Sequence, residues 1–363
     1  MLSPEILECL RCPSCESAEL ARAVFRDESP TDILDGVLWC QDCSRWYPIE
    51  ERLLDLLVEP LAYGDARNAS ETISKDQQKL QQDHFDWYAD NTDQSYVEYE
   101  QTSFWRAADL IAFEPWKRAV TPGSRLLDVG CAQGRSTFKF MDCDIQIVGF
   151  DVSKALIRQA IARYQERNHR ARAVFFAADA SRFPFRDETF DTVLVYGVLH
   201  HLADPAAACG EISRVLKPQG SYFGQENNRT VFRSVFDLLQ RLRPQWHEEA
   251  GPEAIISSEQ LRTWFRDTPV EVGTKTSVFL PPHLCNLMPP FISHRMLVAS
   301  DSLGGAIPYL REHFGLRRHH VLACVCHQAG GDHASRQIHR EEGRGRCHNL
   351  DGLSKGQFEV PQV

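Results

Sequence analysis

The pattern of hydrophobic and polar positions becomes regular from Ser124 onward, where short apolar runs alternate with segments of helical periodicity. The runs are RLLDVG, IQIVGFD, RAVFFAAD, FDTVLVYG and GSYFGQEN, and the segments between them include SKALIRQAIARYQER and PAAACGEISRVL. Strands that are buried on both faces and joined by helices are typical of a parallel, doubly wound sheet. We therefore expect an α/β fold, completed by a helix at SSEQLRTWF and two strands at VEVGTKTSVFL and HHVLACVCH.

Two Cys-x-x-Cys pairs lie near the start of the chain. Cys12 and Cys15 are separated from Cys40 and Cys43 by 24 residues. Each tight turn can present two thiolates to one ion, and the segment is too short to fold around a core of its own. The spacing therefore predicts a zinc ribbon whose metal is structural, because four thiolates leave no open position for a substrate. Four unrelated buried thiols are the alternative.

Composition divides the rest of the chain. The polar stretch RNASETISKDQQKLQQ indicates a linker or an exposed helix. The nine aromatic residues between positions 84 and 116 could form the floor of a substrate pocket, but most of them are expected to dock helices onto the sheet. The last segment is rich in Gly, Arg, His and Glu and is predicted to be disordered. The predicted division is a zinc ribbon at 1–58, a linker and aromatic-rich helical lid at 59–118, the sheet domain at 119–327 with long insertions at about 228–256 and 281–317, and a tail at 328–363.

Charge and targeting signals narrow the class of protein. The net charge of −10 argues against a protein that binds nucleic acid through its overall field. The sequence contains no run of about 18 apolar residues, so no transmembrane helix is expected. The start MLSPEILECL lacks the features of a secretory signal, so the twelve cysteines are expected to be thiols and metal ligands in a cytoplasmic protein.

Two arginine clusters are candidates for anion binding. RQAIARYQERNHRAR follows the second strand and is expected to form a solvated helix face. RTVFRSVFDLLQRLRPQWH lies in the first insertion and could bind an anionic acceptor such as a phosphorylated sugar, a lipid headgroup or RNA. A solvated amphipathic helix is the favoured interpretation of this second cluster as well, with anion binding as the alternative.

The glycine turn in LLDVGCAQGR does not fit a phosphate-binding loop. A dinucleotide fingerprint would need glycine where Ala132 and Arg135 stand, and Asp128 would repel a pyrophosphate. S-adenosylmethionine, a nucleoside with an ammonium group and no phosphate, fits this turn better. Asp128 can face its ammonium, Gly130 and Gly134 keep the turn open, and the N-terminus of the following helix would favour its carboxylate.

Two more aspartates end the next two strands. Asp151 stands 21 residues after Gly130, where an acid binds ribose hydroxyls in doubly wound folds. Asp179 could accept from the adenine amino group while the backbone of Ala180 contacts the ring. Each of these acids alone could be a helix cap or a turn residue, but carboxylates ending three successive strands should converge on one edge of the sheet.

From Ser124 to Phe223 the chain resembles the class I S-adenosylmethionine-dependent methyltransferases, in the branch that includes ubiquinone-biosynthesis-like enzymes. The resemblance is carried by LLDVGCAQG, VGFDVSKALIRQA, AADASRFPFRDETFDTVLVYGVLHHLADP and GEISRVLKPQGSYF. The chain departs from the family at Ala132, usually glycine, and at Gln219 in the turn that is usually LKPGG. The resemblance implies a Rossmann-like sheet of seven strands whose last strand is antiparallel. The candidate cofactor-binding set is Asp128, Gly130, Gly134, Asp151, Val152, Asp179, Ala180 and Tyr196.

Residues 2–58 resemble the small zinc-ribbon family that activates tRNA methyltransferases, together with its bacterial relatives. Some of those relatives lack the cysteines. The metal is therefore predicted from the chemistry of the thiols and not from the resemblance.

The chemistry expected from such a domain is an in-line displacement. The sulfonium is already an activated leaving group, so positioning the acceptor is the main work, and a general base helps where the acceptor carries a proton. His200 and His201, after the fourth strand in GVLHHLADP, are candidates for the base, although packing is the alternative because the family shares this stretch across different acceptors. Glu226 and Asn227 follow the fifth strand and are either pocket residues or a polar strand exit. His200 and Glu226 are the predicted catalytic residues.

The leading hypothesis is a methyltransferase that acts on an O, N or C atom of a small molecule, such as a glycan or lipid precursor or a specialised metabolite. An RNA methyltransferase is the second, because some ribosomal RNA guanine methyltransferases begin with a zinc ribbon. Those ribbons have different ligand spacing and include a histidine, and the acidic charge also weighs against RNA. The third is a non-catalytic activating partner of another methyltransferase, which the intact acids disfavour.

Overall fold

The structure, a computed structural model, describes most of the first 276 residues and one strand beyond them. The described residues are 2–30, 32–58, 79–87, 89, 103–166, 169–226, 256–276, 292, 295, 296, 299 and 321–327. All of them belong to one compact unit, Met1–Gly330. Within these residues no helix has the length and apolar character needed to cross a membrane.

The N-terminal domain is a small antiparallel sheet with one short helix. β1 pairs with β2, β2 with β3, and β3 with β4, all antiparallel. Inward-facing residues such as Leu38, Tyr47 and Ile49 are buried, and the residues between them face outward. The elements are α1 Pro4–Leu7, β1 Leu20–Ser29, β2 Asp32–Cys40, β3 Trp46–Glu50 and β4 Leu53–Asp55.

The second part contains the predicted doubly wound sheet. Its strands are β5 Arg125–Val129, β6 Gln146–Asp151, β7 Arg172–Ala177, β8 Phe190–Tyr196, β9 Leu216–Glu226, β10 Thr274–Thr276 and β11 Val321–His327. Their order is β7-β6-β5-β8-β9-β11-β10. The pairs from β7 to β9 are parallel, and β11 is antiparallel to both β9 and β10. The predicted antiparallel last strand is therefore confirmed.

The helices begin where the sequence supplies caps. Ser153 accepts from the backbone of Leu156 to start α3, and Asp204 accepts from Ala207 to start α4. Ser257 and Gln260 form a capping box at α5, in which each side chain bonds the other residue's backbone. The labelled helices are α2 Ser103–Ala119, α3 Lys154–Gln165, α4 Pro205–Val215 and α5 Ser258–Trp264.

The seven strands predicted for the doubly wound sheet are present as β5 to β11, and they join the four strands of the ribbon in one continuous sheet of eleven strands. The ribbon was predicted as a separate small domain, and the structure differs in this continuity. β4 pairs in parallel with β7, so that Leu54 lies opposite Phe176 and Asp55 opposite Ala177. Leu54 and Phe176 are both fully buried in the same hydrophobic cluster. The two parts therefore share a core as well as a sheet.

Some predicted segments lie outside the described residues. These include nearly all of the insertions at 228–256 and 281–317, the RTVFRSVFDLLQRLRPQWH arginine cluster, Asn227 and the tail at 328–363. Within the predicted lid, residues 79–87 and α2 are helical. Phe113 and Trp116 of α2 stack against Tyr196 and Phe223, which is the docking role expected of the aromatics. The LKPQG turn lies inside β9, where the pairing with β8 is irregular.

Candidate active site

The glycine turn after β5 is held open by close packing. Gly130 has a φ of +64°, and a Cβ placed there would lie 2.5 Å from Cγ2 of Val198. Gly134 has a φ of +86°, and its Cβ would lie 2.5 Å from Cε2 of Phe138. Ala132 also has a positive φ, +48°, in a region that an alanine rarely adopts. The turn thus places an alanine in a left-handed conformation that glycine adopts more freely.

Asp128 is a completely buried acid beneath this turn. Its Oδ2 accepts hydrogen bonds from Ser136 Oγ at 2.7 Å and from Thr137 Oγ1 at 2.5 Å. Its Oδ1 is also buried and has no hydrogen-bond partner among the described residues. Burial raises the pKa of Asp128 to about 7, and the nearby charge of Asp151 acts in the same direction. Oδ1 can therefore accept a hydrogen bond from a cationic donor.

Asp151 is the last residue of β6, and its side chain is hydrogen-bonded to the glycine turn. One carboxylate oxygen accepts from the backbone of Ala132 at 3.0 Å, and the other accepts from the backbone of Ser153 at 2.9 Å. Burial raises the pKa of Asp151, while these backbone donors act against that rise. This acid therefore fixes the turn and the start of α3 relative to each other.

Asp179 lies at the third strand end, two residues after β7. It is only half-buried, and its carboxylate accepts from the backbone of Ser181 at 2.8 Å and from the Ser181 hydroxyl. The next residue, Ala180, is buried. Because β5, β6 and β7 are neighbours and parallel, Asp128, Asp151 and Asp179 meet at one edge of the sheet, as the sequence predicted.

The helix expected after the glycine turn is not an α-helix. Residues 132–136 form turns, and a four-residue 3₁₀ helix, Thr137–Phe140, follows. So short a helix has only a small dipole, which weakens the argument for a ligand carboxylate at its N-terminus, and that placement stays a prediction.

An ion-pair network that the sequence analysis missed surrounds the turn instead. Arg135 is buried and binds Asp109 of α2 at 2.8 Å, and Lys139 binds the other oxygen of Asp109 at 2.7 Å. The Arg135 guanidinium also lies 5.0 Å from the centre of the Tyr196 ring. Burial raises the pKa of the Tyr196 hydroxyl, and the charge of Arg135 partly opposes the rise. Asp109 gave no signal in the sequence, because its partners are 26 and 30 residues away along the chain.

Arg163 also departs from its prediction. It belongs to the arginine cluster that was expected to form a solvated face. It donates to the carbonyl of Gln133 at 3.1 Å and covers the ring of Phe138 at 4.8 Å. This side chain supports the glycine turn from outside.

His200 and Glu226 are brought together, deep in the protein. His200 Nδ1 lies 2.7 Å from Oε2 of Glu226, and both side chains are at most 5% exposed. Oε1 of Glu226 accepts from the backbones of Val198 and Leu199 at 3.0 and 2.8 Å. Glu226 therefore holds the start of the short helix Leu199–His201 as well as the His200 ring.

The helical segment 79–87 lies over the same edge. Phe85 meets the His201 ring edge-on, with the ring centres 5.6 Å apart. Asp86 accepts from the Ser153 hydroxyl, and Gln82 donates to the carbonyl of Val152 at 3.4 Å. The segment thus contacts both the β6 end, where the cofactor was predicted, and the histidine pair on the acceptor side.

The four cysteines of the ribbon form one cluster. Their sulfur atoms all lie within 4.8 Å of one another. Cys12 lies 3.6 Å from Cys43, and Cys15 lies 3.5 Å from Cys40, between sulfur atoms. A tetrahedral zinc ion with Zn–S bonds of about 2.3 Å needs sulfurs roughly 3.8 Å apart. The cluster has the donors and the spacing that this ion requires.

Comparison with known proteins finds two families, each of which matches a different stretch of the chain. Residues 127–224 match the family described as "Methyltransferase domain". Over this stretch the chain is similar to that family. Residues 3–51 match the family described as "Trm112p-like protein". The two resemblances inferred from motifs are therefore confirmed.

The names of two curated relatives show that they act on different molecules. The chain is 29% identical over 162 residues to the demethylmenaquinone methyltransferase of Renibacterium salmoninarum. The match covers 41% of this chain and 66% of that protein. It is 29% identical over 146 residues to the 27-O-demethylrifamycin SV methyltransferase of Amycolatopsis mediterranei, covering 38% of this chain and 54% of that protein. The chain thus spans only about half to two thirds of the length of these relatives.

Among solved structures, the chain is similar to one in the Haloferax volcanii complex between the Trm112 methyltransferase activator and a methyltransferase. The identity is 18%, the TM-score is 0.44, and the match covers 68% of this chain and 97% of the other. A likeness this remote gives no information about the site.

Proposed function

We propose that the chain binds S-adenosylmethionine at the edge formed by β5, β6 and β7 and transfers its methyl group to a small molecule. The observation that carries the proposal is the buried Oδ1 of Asp128, which lacks a partner among the described residues. An unsatisfied buried carboxylate oxygen is costly, and the ammonium group of the donor would satisfy it.

The other two acids complete a site for the nucleoside. Asp151 keeps its carboxylate at the ribose position while it bonds the turn, and half-buried Asp179 can accept from the adenine amino group. Val152, Ala180 and Tyr196 border the same edge. When bound, S-adenosylmethionine supplies the activated methyl group, and the protein's work is to orient both reactants.

His200 is proposed as the general base for an acceptor that carries a proton. Glu226 already accepts two backbone N–H groups, so it is best satisfied by a third donor, the Nδ1–H of His200. That tautomer leaves the lone pair on Nε2, where a base would need it. Glu226 is then a positioning residue that acts through His200.

The ribbon is proposed to hold one zinc ion through Cys12, Cys15, Cys40 and Cys43. Four thiolates close the coordination sphere, so the metal supports the fold and takes no part in methyl transfer. Zinc content near one per chain, lost when Cys12 and Cys40 are both replaced by serine, is the expected result. Metal content that is unchanged in this double variant would contradict the assignment.

The experiment that tests the proposed activity uses purified protein, a small-molecule extract and S-adenosylmethionine with an isotope-labelled methyl group. A new labelled metabolite that depends on the protein is the expected result. Label that enters RNA or protein and no small molecule would contradict the proposed acceptor class.

The role of His200 is then tested with that acceptor. His200→Gln should reduce kcat and remove the rise of kcat with pH, whereas His201→Gln serves as the neighbouring control. A pH profile that is unchanged in His200→Gln would show that this histidine is not the base and has a packing role.

A further inference from the structure

The loop that contains Asp179 is hydrogen-bonded to the ribbon. This loop, residues 179–186, connects the β7 end to the approach to β8. Leu10 of the ribbon forms an antiparallel bridge with Phe185, and the backbone of Arg11 donates to the carbonyl of Pro184 at 3.1 Å. Residues 184–186 of the loop therefore pair with residues 9–11 of the ribbon in an isolated β-bridge.

Arg186 extends this attachment along the ribbon. Its backbone donates to the carbonyl of Cys9 at 2.9 Å, and its guanidinium donates to the carbonyls of Leu10 and Ala18 at 3.2 and 2.9 Å. The acceptors lie on both sides of the first Cys-x-x-Cys pair. The position of the loop thus depends on the shape of the chain around that pair.

Arg182 links the cysteine cluster to the candidate adenine site. Its Nη1 lies 3.3 Å from the carbonyl of Pro13 and 3.5 Å from that of Ser14, the two residues between Cys12 and Cys15. Its backbone N–H donates to the carbonyl of Asp179 at 3.2 Å. One residue therefore contacts both the metal-binding turn and the acid that ends β7.

Two backbone hydrogen bonds close the turn that contains Pro13 and Ser14: Glu16 donates to the carbonyl of Cys12 and Cys12 donates to the carbonyl of Ser17, both at 2.8 Å. A bound zinc ion would add a further restraint, because it fixes two thiolates three residues apart. Removal of the ion should therefore loosen the turn and the two carbonyls that accept from Arg182.

We propose that Arg182 is a positioning residue through which the zinc-binding turn of the ribbon orients Asp179 for the adenine ring. This inference rests on the proposed function, because it assigns a role to the ribbon in cofactor binding. Zinc, in this account, raises the affinity for the nucleoside although none of its ligands touches the nucleoside.

The first test measures the affinity for S-adenosylhomocysteine by calorimetry. Arg182→Ala should weaken binding about fivefold, the effect of losing a hydrogen bond or two that orders a binding group. Arg22→Ala is the matched control, because Arg22 is an exposed arginine of β1. It should leave the affinity unchanged.

The second test separates positioning from a general loss of structure. S-inosylhomocysteine has a carbonyl oxygen in place of the adenine amino group, so it lacks the amino donor that is proposed to bind Asp179. Arg182→Ala should therefore reduce the preference for the adenosyl over the inosyl ligand, and its effect should not add to that of Asp179→Ala. A variant that is merely less well folded would bind both ligands more weakly by the same factor, which would overturn the proposal.

The third test removes the metal from the full chain with a chelator. The metal-free protein should show the same loss of preference for the adenosyl ligand as Arg182→Ala, and added zinc should restore it. If wild-type protein binds S-adenosylhomocysteine equally well with and without metal, the coupling is overturned and the proposed function stands. If wild-type protein with metal does not bind it at all, the proposed function fails and the coupling fails with it.

Discussion

Asp128 is the residue whose ionisation should control ligand binding. In the ligand-free protein burial raises the pKa of its carboxyl to about 7, and two hydroxyls satisfy only one of its oxygens. A cationic group at Oδ1 would favour the charged form and lower that pKa. The site is therefore poised between a neutral form without ligand and a charged form with it.

This balance predicts that affinity depends on pH. Binding of S-adenosylhomocysteine, whose ammonium is charged in this range, should strengthen as pH rises from 6 to 8, because the ligand no longer has to displace a proton from Asp128. Asp128→Asn should bind weakly with a flat profile over the same range. A wild-type affinity that is constant between pH 6 and 8 would contradict the assignment of the ammonium to Asp128.

The same shift predicts a change in stability without ligand. A carboxyl whose folded pKa is raised from 3.8 to about 7 binds its proton more tightly in the folded state. The unfolding free energy should therefore fall as pH rises from about 4 to 7, by up to about 4 kcal/mol for this group. Urea unfolding of wild type and Asp128→Asn checks this: the difference between them should shrink toward low pH, and a difference that grows toward low pH has the wrong sign.

Glu226 should prove more important for structure than its position beside a candidate base implies. Glu226→Ala would leave two buried backbone N–H groups and the His200 ring without their acceptor, at a cost of about 3 kcal/mol. Glu226→Gln keeps one carbonyl oxygen and should cost about 1 kcal/mol. Chemical denaturation of both variants measures the gap, and equal stability of the two would refute the triple acceptor role.

At the scale of the element, Gly130 in the glycine turn and Gly210 in α4 should respond to alanine in opposite ways. Gly130→Ala would place a methyl group 2.5 Å from Val198 in a left-handed backbone, so it should abolish ligand binding and cost about 2 kcal/mol or more. Gly210, in α4, has open space where its Cβ would stand, so Gly210→Ala should stabilise by about 0.5–1 kcal/mol. Thermal unfolding and calorimetry compare the two variants. Full ligand affinity in Gly130→Ala would show that the turn is not part of the site.

The elements that the sequence predicted well are those with a local signal. The apolar runs of β5 to β9 and the helices α3 to α5 lie where their patterns placed them, because burial on two faces and helical periodicity are properties of neighbouring residues. The pairing of Asp109 with Arg135 had no such signal, since it depends on where α2 docks. The 3₁₀ helix after Gly134 was missed for a related reason, because the contacts around that turn override helix propensity.

On the scale of the whole molecule, the join between β4 and β7 turns two family domains into one sheet. The sequence showed the two domains but not this join, because a three-residue strand pairing in parallel with a distant strand leaves no periodic pattern. The shared core extends from Leu2 and Leu54 of the ribbon to Phe176 and Phe190 of the doubly wound sheet. The two parts should therefore unfold together.

Leu54→Ala tests this cooperation. Leu54 is fully buried at the join, so its truncation should cost about 2–5 kcal/mol and weaken both parts. Hydrogen exchange in increasing urea should show β2 and β8 losing protection at the same concentration, and at a lower one than in wild type. Val24→Ala, at an exposed position of β1, should change stability by less than about 0.5 kcal/mol. Loss of protection in β2 well before β8 would mean that the ribbon folds on its own.

The central claim is that acids on three neighbouring strands hold one positively charged nucleoside. Calorimetric titration of S-adenosylmethionine into wild type, Asp151→Ala and Asp179→Ala tests it most directly, with the unfolding midpoint of each protein measured alongside. The account predicts one site per chain in wild type and about tenfold weaker binding in each folded variant. Absence of binding to wild type, or undiminished affinity in both variants, would contradict it.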